Sequence, residues 1–250
     1  MNIRLDKYLA DSGNGTRSEV KLLIRSGSVL VNGKIEKDPG RKINTDSDKV
    51  SCKGVDTSFE EFEYFVLNKP AGVVTATRDK TTGTVMDIIK TSRRRDLFPV
   101  GRLDKDTEGL LLITNDGQLS HRLLAPGKHV DKGYLAMVSG VLPPDAAQQF
   151  EKGVDIGDDE LTAPATLKTV LDDDSLDVYF DGKEIPGTVK VHIVITEGRY
   201  HQIKRMFEAL GCRVEYLKRI SMGTLVLDKG LAVGDYRELK AEELKGLGII

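Results

Sequence analysis

The feature that most constrains this sequence is a charged turn that leads directly into an uninterrupted apolar segment. Gly101 and Gly109 bracket the turn, and the segment that follows is Leu110-Leu111-Leu112-Ile113. A short, continuous apolar segment of this kind predicts a strand that is buried on both faces. The turn then holds Arg102 and Asp104 at the edge of the core, where a fixed carboxylate beside an arginine is able to do chemistry. A surface turn with a local ion pair explains the same spacing equally well, because structural ion pairs also form such clusters.

The N-terminal region predicts a compact module of two short helices and a hairpin. Apolar residues at helical spacing mark a helix within residues 4–12, and Gly13 fits the position after its end. Thr16 and Glu19 form a capping-box pattern that starts a second helix. Further on, Asn32-Gly33 stands between two short apolar segments, which predicts a hairpin.

The second predicted helix carries a basic stripe. Arg17, Lys21 and Arg25 are spaced four residues apart and therefore line up along one face. A solvated surface is the usual explanation of such a stripe. Repetition of the positive charge after the hairpin favours contact with phosphate groups instead. The repeated basic residues are Lys34, Lys37, Arg41 and Lys42.

The rest of the chain predicts a larger second domain with irregularly spaced strands. We place the first domain at residues 1–55, a polar linker at 56–61 and the second domain at 62–250. The irregular spacing favours an α+β fold over βαβ repetition, with a mixed, mainly antiparallel sheet flanked by helices and a cleft across it. Helices are predicted at residues 84–91, 118–124 and 143–152 and around Ile203, Phe207 and Leu210, and the clearest alternating strand is 189–195.

Composition and charge narrow the class of protein. Hydrophobic residues make up 39% and charged residues 30%, and neither a membrane-spanning segment nor a secretion signal is evident. Cys52 and Cys212 have no paired spacing, so we expect reduced thiols in a cytoplasmic protein. Net charge is −2, yet residues 1–53 hold 11 Lys and Arg against 7 Asp and Glu, and residues 155–184 hold 2 against 10. We expect a basic working face and a remote acidic one.

Other kinds of site find no support in the residues. Asp104 to Gly109 imitates the opening of a calcium loop, but Asn115 stands where a bidentate carboxylate is required. The four histidines lack zinc-ligand spacing, and no Gly-rich phosphate loop precedes a lysine. A glycosidase pair of Asp104 and Glu108 is disfavoured because the chain has no Trp to line a sugar cleft. We therefore predict no metal site.

Three N-terminal segments form a pattern of their own. They are Arg4-Leu5-Asp6-Lys7-Tyr8-Leu9-Ala10, Thr16-Arg17-Ser18-Glu19 and Gly27-Ser28-Val29-Leu30-Val31-Asn32-Gly33. Together they resemble the S4-type RNA-binding domain, and the resemblance implies a small α/β RNA-binding module.

Four later segments form a second pattern. They are Lys69-Pro70-Ala71-Gly72, Gly101-Arg102-Leu103-Asp104 with its continuation to Thr114, Lys132-Gly133-Tyr134, and Glu197-Gly198-Arg199-Tyr200-His201-Gln202-Ile203-Lys204-Arg205-Met206-Phe207. These segments, in this order along the chain, resemble the motifs of the RNA pseudouridine synthases. Within that family, Tyr200 to Lys204 is most similar to the pseudouridine synthase A branch, which acts on uridine 516 of small-subunit 16S ribosomal RNA.

The resemblance also implies which residues form the site. Asp104 is the nucleophile, and Lys204 is the cation that keeps it ionised in a semi-buried pocket, with Arg205 as the alternative. Tyr134 stacks on the target uracil and is able to exchange its proton. Arg102 fills the gap left by the extruded base or clamps its phosphate. Further RNA contacts are expected from Arg199, His201, Gln202 and Arg205, and from Arg17, Lys21 and Arg25 of the basic stripe.

The implied activity is isomerisation of a uridine in ribosomal RNA, most closely 16S RNA. The reaction breaks a ribose–nitrogen bond and rejoins the base through carbon. Because nothing is oxidised or hydrolysed, we expect no cofactor. The sequence leaves open whether Asp104 attacks the base, attacks the ribose or assists deprotonation at the ribose. Two alternatives remain, the same chemistry on 23S RNA and a non-catalytic RNA-binding factor in ribosome assembly. The expected partner is ribosomal RNA, either naked or within an assembling small subunit. We expect the chain to be a monomer and not to bind membranes.

Overall fold

The computed structural model describes residues 1–91, 94, 96–171 and 174–250. The described chain divides into two compact units, Met1–Glu63 with Ile89–Leu97, and Tyr64–Ile88 with Phe98–Ile250. Each unit has its own apolar core. Arg93 and Arg95, which belong to a basic run in the sequence, and Asp172 and Asp173 of the acidic block lie outside the described residues.

The first unit combines two helices with two small antiparallel sheets. One sheet pairs β1 (Asn2–Arg4) with β4 (Lys42–Asn44), and the other has four strands in the order β3-β2-β5-β6. The remaining elements are α1 (Leu5–Asp11), α2 (Arg17–Arg25), β2 (Val29–Val31), β3 (Lys34–Ile35), β5 (Val50–Cys52) and β6 (Val55–Thr57).

Local sequence signals explain these N-terminal elements. The Thr16 side chain accepts a hydrogen bond from the Glu19 N–H, and the Glu19 carboxylate accepts one from the Thr16 N–H, which is the predicted capping box at the start of α2. Asn32 and Gly33 both have positive φ, at 52° and 78°, as a two-residue hairpin between right-twisted strands requires. The predictions of α2 and of the hairpin are therefore confirmed.

The second unit is built on a nine-stranded mixed sheet whose main path is β11-β12-β10-β13-β9-β7-β15. Its strands are β7 (Tyr64–Lys69), β8 (Phe98–Pro99), β9 (Glu108–Thr114), β10 (Lys132–Ser139), β11 (Thr166–Thr169), β12 (Thr188–Ile195), β13 (Arg213–Met222), β14 (Leu225–Val226) and β15 (Tyr236–Glu238). Its helices are α3 (Gly117–Leu124), α4 (Ala146–Lys152), α5 (Gln202–Ala209) and α6 (Ala241–Gly246).

A single parallel pairing joins the two halves of this sheet. β9 and β13 run parallel, with Glu108 opposite Lys218 and Gly109 opposite Arg219. All other strand pairs in the described part of the unit are antiparallel. Every residue of β9 is buried, because strands flank both of its edges and apolar side chains cover its faces. The predicted α+β class, mixed sheet and doubly buried strand are confirmed.

Two local predictions differ from the structure. The helix expected at residues 84–91 is only a 3₁₀ turn at Val85–Asp87. The Asp87 carboxylate accepts hydrogen bonds from the N–H and the hydroxyl of Thr84, which caps the start of this turn, and the turn ends at Ile88. The sequence analysis also missed β15 and α6, which are short. None of the helices in the described residues has the length and hydrophobicity needed to cross a membrane.

Candidate active site

A cleft of about 440 Å³, partly open to solvent, lies in the second unit. The turn before β9, strand β10 and the start of α5 supply most of its walls. The structure therefore brings together residues from three of the sequence segments singled out above. Those lining the cleft include Arg102, Asp104, Tyr134, Arg199, His201, Gln202 and Lys204.

The Asp104 carboxylate lies between two side chains from the region of α5. Its Oδ2 is 3.4 Å from the Lys204 Nζ, and its Oδ1 is 3.4 Å from the His201 Nε2. The Asp104 side chain is 28% exposed, so it is neither fully desolvated nor free in bulk water. The arrangement places a carboxylate oxygen beside an ammonium group inside a cleft.

Lys204 is shared with a second carboxylate, which the sequence analysis did not assign to the site. Its Nζ donates to both oxygens of Asp106, at 2.7 and 2.8 Å, which is closer than its approach to Asp104. Partial burial acts to raise the pKa of Asp106, but the hydrogen bond and charge of Lys204 outweigh it and hold the pKa below its usual value. Asp106 therefore keeps the ammonium group beside the turn.

A buried lysine fixes the main chain of the turn that carries Asp104. Lys69, at the end of β7, is fully buried, and its Nζ donates to four main-chain carbonyls at 2.9–3.3 Å. Thr75 adds a second tie, because its hydroxyl donates to the Leu103 carbonyl and accepts from the Leu103 N–H. The carbonyls bound by Lys69 belong to Pro70, Asp104, Lys105 and Thr107.

Lys69 should make stability depend on pH in a defined direction. Burial lowers the pKa of its ammonium group from 10.5 to about 8. Between these values the unfolded chain holds a proton that the folded chain has released, so the free energy of unfolding should rise with pH. Denaturant unfolding between about pH 8 and 10 should show this contribution in the wild type and not in Lys69→Met.

Tyrosines limit this window from above. Burial raises the pKa of Tyr8 and of Tyr179, so their contribution to stability falls as pH increases beyond about 10. Both tyrosines are present in Lys69→Met, and the difference between the two pH slopes isolates the lysine. Equal slopes would show that Lys69 does not lose its proton in this range.

Glu197 and Gln202 shape the turn that presents His201. The Glu197 Oε1 accepts from the Ala163 N–H and from the Gln202 Nε2, and the Gln202 Oε1 accepts from the Arg199 N–H. His201 adopts the left-handed conformation, with φ at 51°, immediately before α5. The sequence analysis assigned Gln202 to RNA. Its side chain is buried and satisfied within the protein, so a contact with RNA would require these bonds to break.

Arg199 and Arg205 are engaged by the acidic segment 156–161. Both guanidinium groups pair with the Asp158 carboxylate, and they also donate to the carbonyls of Ile156, Glu160 and Leu161. The expectation that the acidic block is remote from the working face is therefore wrong for this segment. These ion pairs join residues about 40 positions apart in sequence, which composition cannot reveal.

The remaining predicted residues fall in both units. Tyr134 is 8% exposed on β10 and lines the cleft with Arg102. Arg17, Lys21 and Arg25 lie on α2 of the first unit, where Lys21 is only partly exposed and its Nζ is 3.9 Å from the Asp6 carboxylate. No set of three or more His, Cys, Asp or Glu side chains in the described residues is arranged to hold a metal ion.

Comparison with known proteins shows which proteins this chain is similar to. It is 44% identical to the uncharacterized RNA pseudouridine synthase YtzG of Bacillus subtilis strain 168, across 97% of each chain. Ribosomal large subunit pseudouridine synthase B of the same strain is 40% identical, across 98% of this chain and 95% of that one. Ribosomal small subunit pseudouridine synthase A of Salmonella typhimurium strain LT2 is 38% identical, across 98% of this chain and all of the other.

A solved structure and two family matches agree with these relatives. A crystal structure of a pseudouridylate synthase aligns with a TM-score of 0.64 and 36% identity, covering 98% of this chain and 99% of that one. Residues 63–209 match the RNA pseudouridylate synthase family, and residues 3–50 match the S4 domain. Both resemblances drawn from the sequence are confirmed. The cleft around Asp104 thus lies within a chain that belongs to the RNA pseudouridylate synthase family and carries an S4 domain at its N-terminus.

Proposed function

We propose that this protein isomerises a uridine of ribosomal RNA to pseudouridine, and that its target is the uridine 516 type of position in 16S RNA. The observation that carries the proposal is the Asp104 carboxylate, held between Lys204 and His201 in a cleft that Tyr134 also lines. A carboxylate poised in this way is a nucleophile that needs no added group. On this proposal the protein acts as a monomer in the cytoplasm.

The chemical roles follow from the positions of these side chains. Asp104 attacks the uracil ring or the ribose, and the bond between N1 of the base and C1′ of the sugar breaks. The detached base turns within the cleft and its C5 bonds to C1′. The bond that Asp104 formed then breaks and restores the free carboxylate, and the hydrogen on C5 leaves as a proton while N1 gains one. Tyr134 stacks on the base and is placed to exchange a proton. Lys204 keeps Asp104 ionised before the attack.

The proposed RNA contacts belong to both units. Arg102 takes the place of the extruded base or binds its phosphate, since a base inside a duplex is unreachable until it flips out. We also propose the domain division at residues 1–55, 56–61 and 62–250. The basic stripe of α2 binds RNA through phosphate groups, so the RNA affinity should depend on salt concentration. The other proposed contacts are Arg199, His201, Gln202 and Arg205, and the stripe comprises Arg17, Lys21 and Arg25.

The choice of 16S over 23S RNA rests on one segment of sequence. Named relatives for the large and the small subunit are 40% and 38% identical to this chain, so identity does not separate the two substrates. The segment Tyr200-His201-Gln202-Ile203-Lys204 favours the small-subunit branch. It lies at the start of α5, where it contributes directly to the cleft.

Mapping of pseudouridine in 16S and 23S RNA from a strain that lacks this protein tests the proposal. We expect one modification, at the position equivalent to uridine 516, to disappear and to return on expression of the wild-type chain. Loss of a modification in 23S RNA instead would move the substrate to the large subunit. A map with every modification in place would remove the enzymatic role and favour a non-catalytic assembly factor.

A further inference from the structure

Tyr200 is an exposed aromatic side chain beside the cleft. The chain has seven tyrosines, all of which the structure describes, and Tyr200 alone among them is exposed, at 72%. Exposure of a large ring removes most of the stability that its burial would supply. Its position on the turn before α5 therefore calls for an explanation beyond packing.

The exposed ring nevertheless packs against a neighbouring side chain. It stacks on the imidazole of His201, with the ring centroids 3.9 Å apart and the planes at 18°. The Tyr200 carbonyl also accepts a hydrogen bond from Arg205 at 3.3 Å, which ties its main chain to α5. One face of the Tyr200 ring is covered by His201, and the other is left available.

The stack leads directly to the proposed nucleophile. His201 contacts Tyr200 on one side, and its Nε2 is 3.4 Å from the Asp104 Oδ1. His201 lines the cleft, whereas Tyr200 does not. A base stacked on the outer face of Tyr200 would therefore lie outside the cleft, in contact with a ring that packs on the cleft-lining His201.

We propose that the outer face of Tyr200 is a subsite for a nucleobase that flanks the target uridine. This inference rests on the proposed function. Aromatic side chains bind single-stranded bases by stacking, which contributes about 1–3 kcal/mol per base and tolerates any base identity. A ring already stacked on His201 loses less side-chain freedom on binding than an unsupported ring would, which suits a platform that holds the strand while the adjacent uridine enters the cleft.

The competing explanation is that Tyr200 only covers His201 and so supports its orientation. Two substitutions separate these roles. Tyr200→Phe keeps the aromatic face, whereas Tyr200→Leu keeps apolar cover over the imidazole but removes the π surface. Stacking predicts wild-type behaviour for Tyr200→Phe and weakened RNA binding for Tyr200→Leu. If Tyr200 only covers His201, both variants should bind RNA with the affinity of the wild type.

The experiment uses a short RNA in which the full-length wild-type protein forms pseudouridine. 2-Aminopurine replaces one nucleotide at a time on either side of the target, and its fluorescence is followed on binding. We expect strong quenching at one flanking position with the wild type and Tyr200→Phe, and its loss with Tyr200→Leu and Tyr200→Ala. The dissociation constant of the last two should rise about 5- to 150-fold.

A change in the RNA supplies an independent measurement. An abasic nucleotide at the quenched position should weaken binding to the wild type by a similar factor, and should weaken binding to Tyr200→Ala no further. Additive effects, or wild-type affinity in Tyr200→Leu, would overturn the subsite while the wild type still converts the RNA. Absence of conversion by the wild type would instead count against the proposed function.

Discussion

Replacing Asp104 by asparagine should lower pseudouridine formation by about 10⁴-fold or more and leave RNA affinity close to that of the wild type. The amide has nearly the shape of the carboxylate but carries no negative charge, so it cannot serve as the nucleophile. The affinity should persist because the other proposed RNA contacts remain. Turnover is measured as release of tritium from C5 of uridine, which must leave when C5 bonds to the sugar.

Asp106→Asn is the matched control, because it makes the same chemical change two residues away. Asp106 holds the Lys204 ammonium more closely than Asp104 does, at 2.7 Å against 3.4 Å. Without the Asp106 carboxylate, Lys204 should pair with Asp104 only, and turnover should stay within about tenfold of the wild type. Near-normal turnover in Asp104→Asn would remove the nucleophile from the proposal. An equally large loss in Asp106→Asn would mean that charge balance in the turn, rather than Asp104 itself, limits the reaction.

The elements that could be predicted are those whose signals lie within a few residues. The capping box of Thr16 and Glu19 and the hairpin at Asn32-Gly33 need only local main-chain geometry, and both are present. The continuous apolar segment from Leu110 to Ile113 correctly predicted a strand buried on both faces, because such a strand has no polar face to expose to water. The helix expected after Thr84 begins with a capping box but extends only from Val85 to Asp87, so a local start signal does not fix the length of a helix.

The supports of the candidate site could not be read from sequence spacing. Lys69 binds carbonyls up to 38 residues away, and its contribution depends on a turn that only the folded sheet brings near. The available signals were a lysine at the end of a predicted strand and the segment Lys69-Pro70-Ala71-Gly72, which resembles a family motif but does not show what Lys69 binds. The pairing of Asp158 with Arg199 and Arg205 is hidden for the same reason. Segregated charge along a chain does not imply segregated charge on its surface, because ion pairs select partners in space.

Asp104 is placed by two kinds of constraint that differ in physical origin. Lys69 supplies polar ties to the main chain of the turn, and the approach of β9 to β13 sets where that turn leaves the sheet. The second constraint depends on the absence of a side chain at Gly109. A change there should therefore reach the site through the backbone, without altering any group that touches RNA.

Gly109→Ala should destabilise the protein strongly. Gly109 has a φ of +103°, and a Cβ at this position would overlap the carbonyl oxygen of Arg219 and lie 2.8 Å from its nitrogen. These are main-chain atoms of β13, which is also paired with β10, so they cannot move alone. Backbone strain of about 1–3 kcal/mol and overpacking of similar size should together lower the melting temperature by about 10 °C.

Gly117→Ala provides the control for this stability measurement. Gly117 is the first residue of α3, its φ is not positive, and no atom lies within 4 Å of an added Cβ. Thermal and denaturant unfolding should place this variant close to the wild type or slightly above it. If Gly109→Ala and Gly117→Ala had the same melting temperature, β9 and β13 would tolerate separation. If the predicted loss is found, the folded fraction of Gly109→Ala should also turn over more slowly, because moving β9 away from β13 moves Asp104 relative to Lys204 and His201.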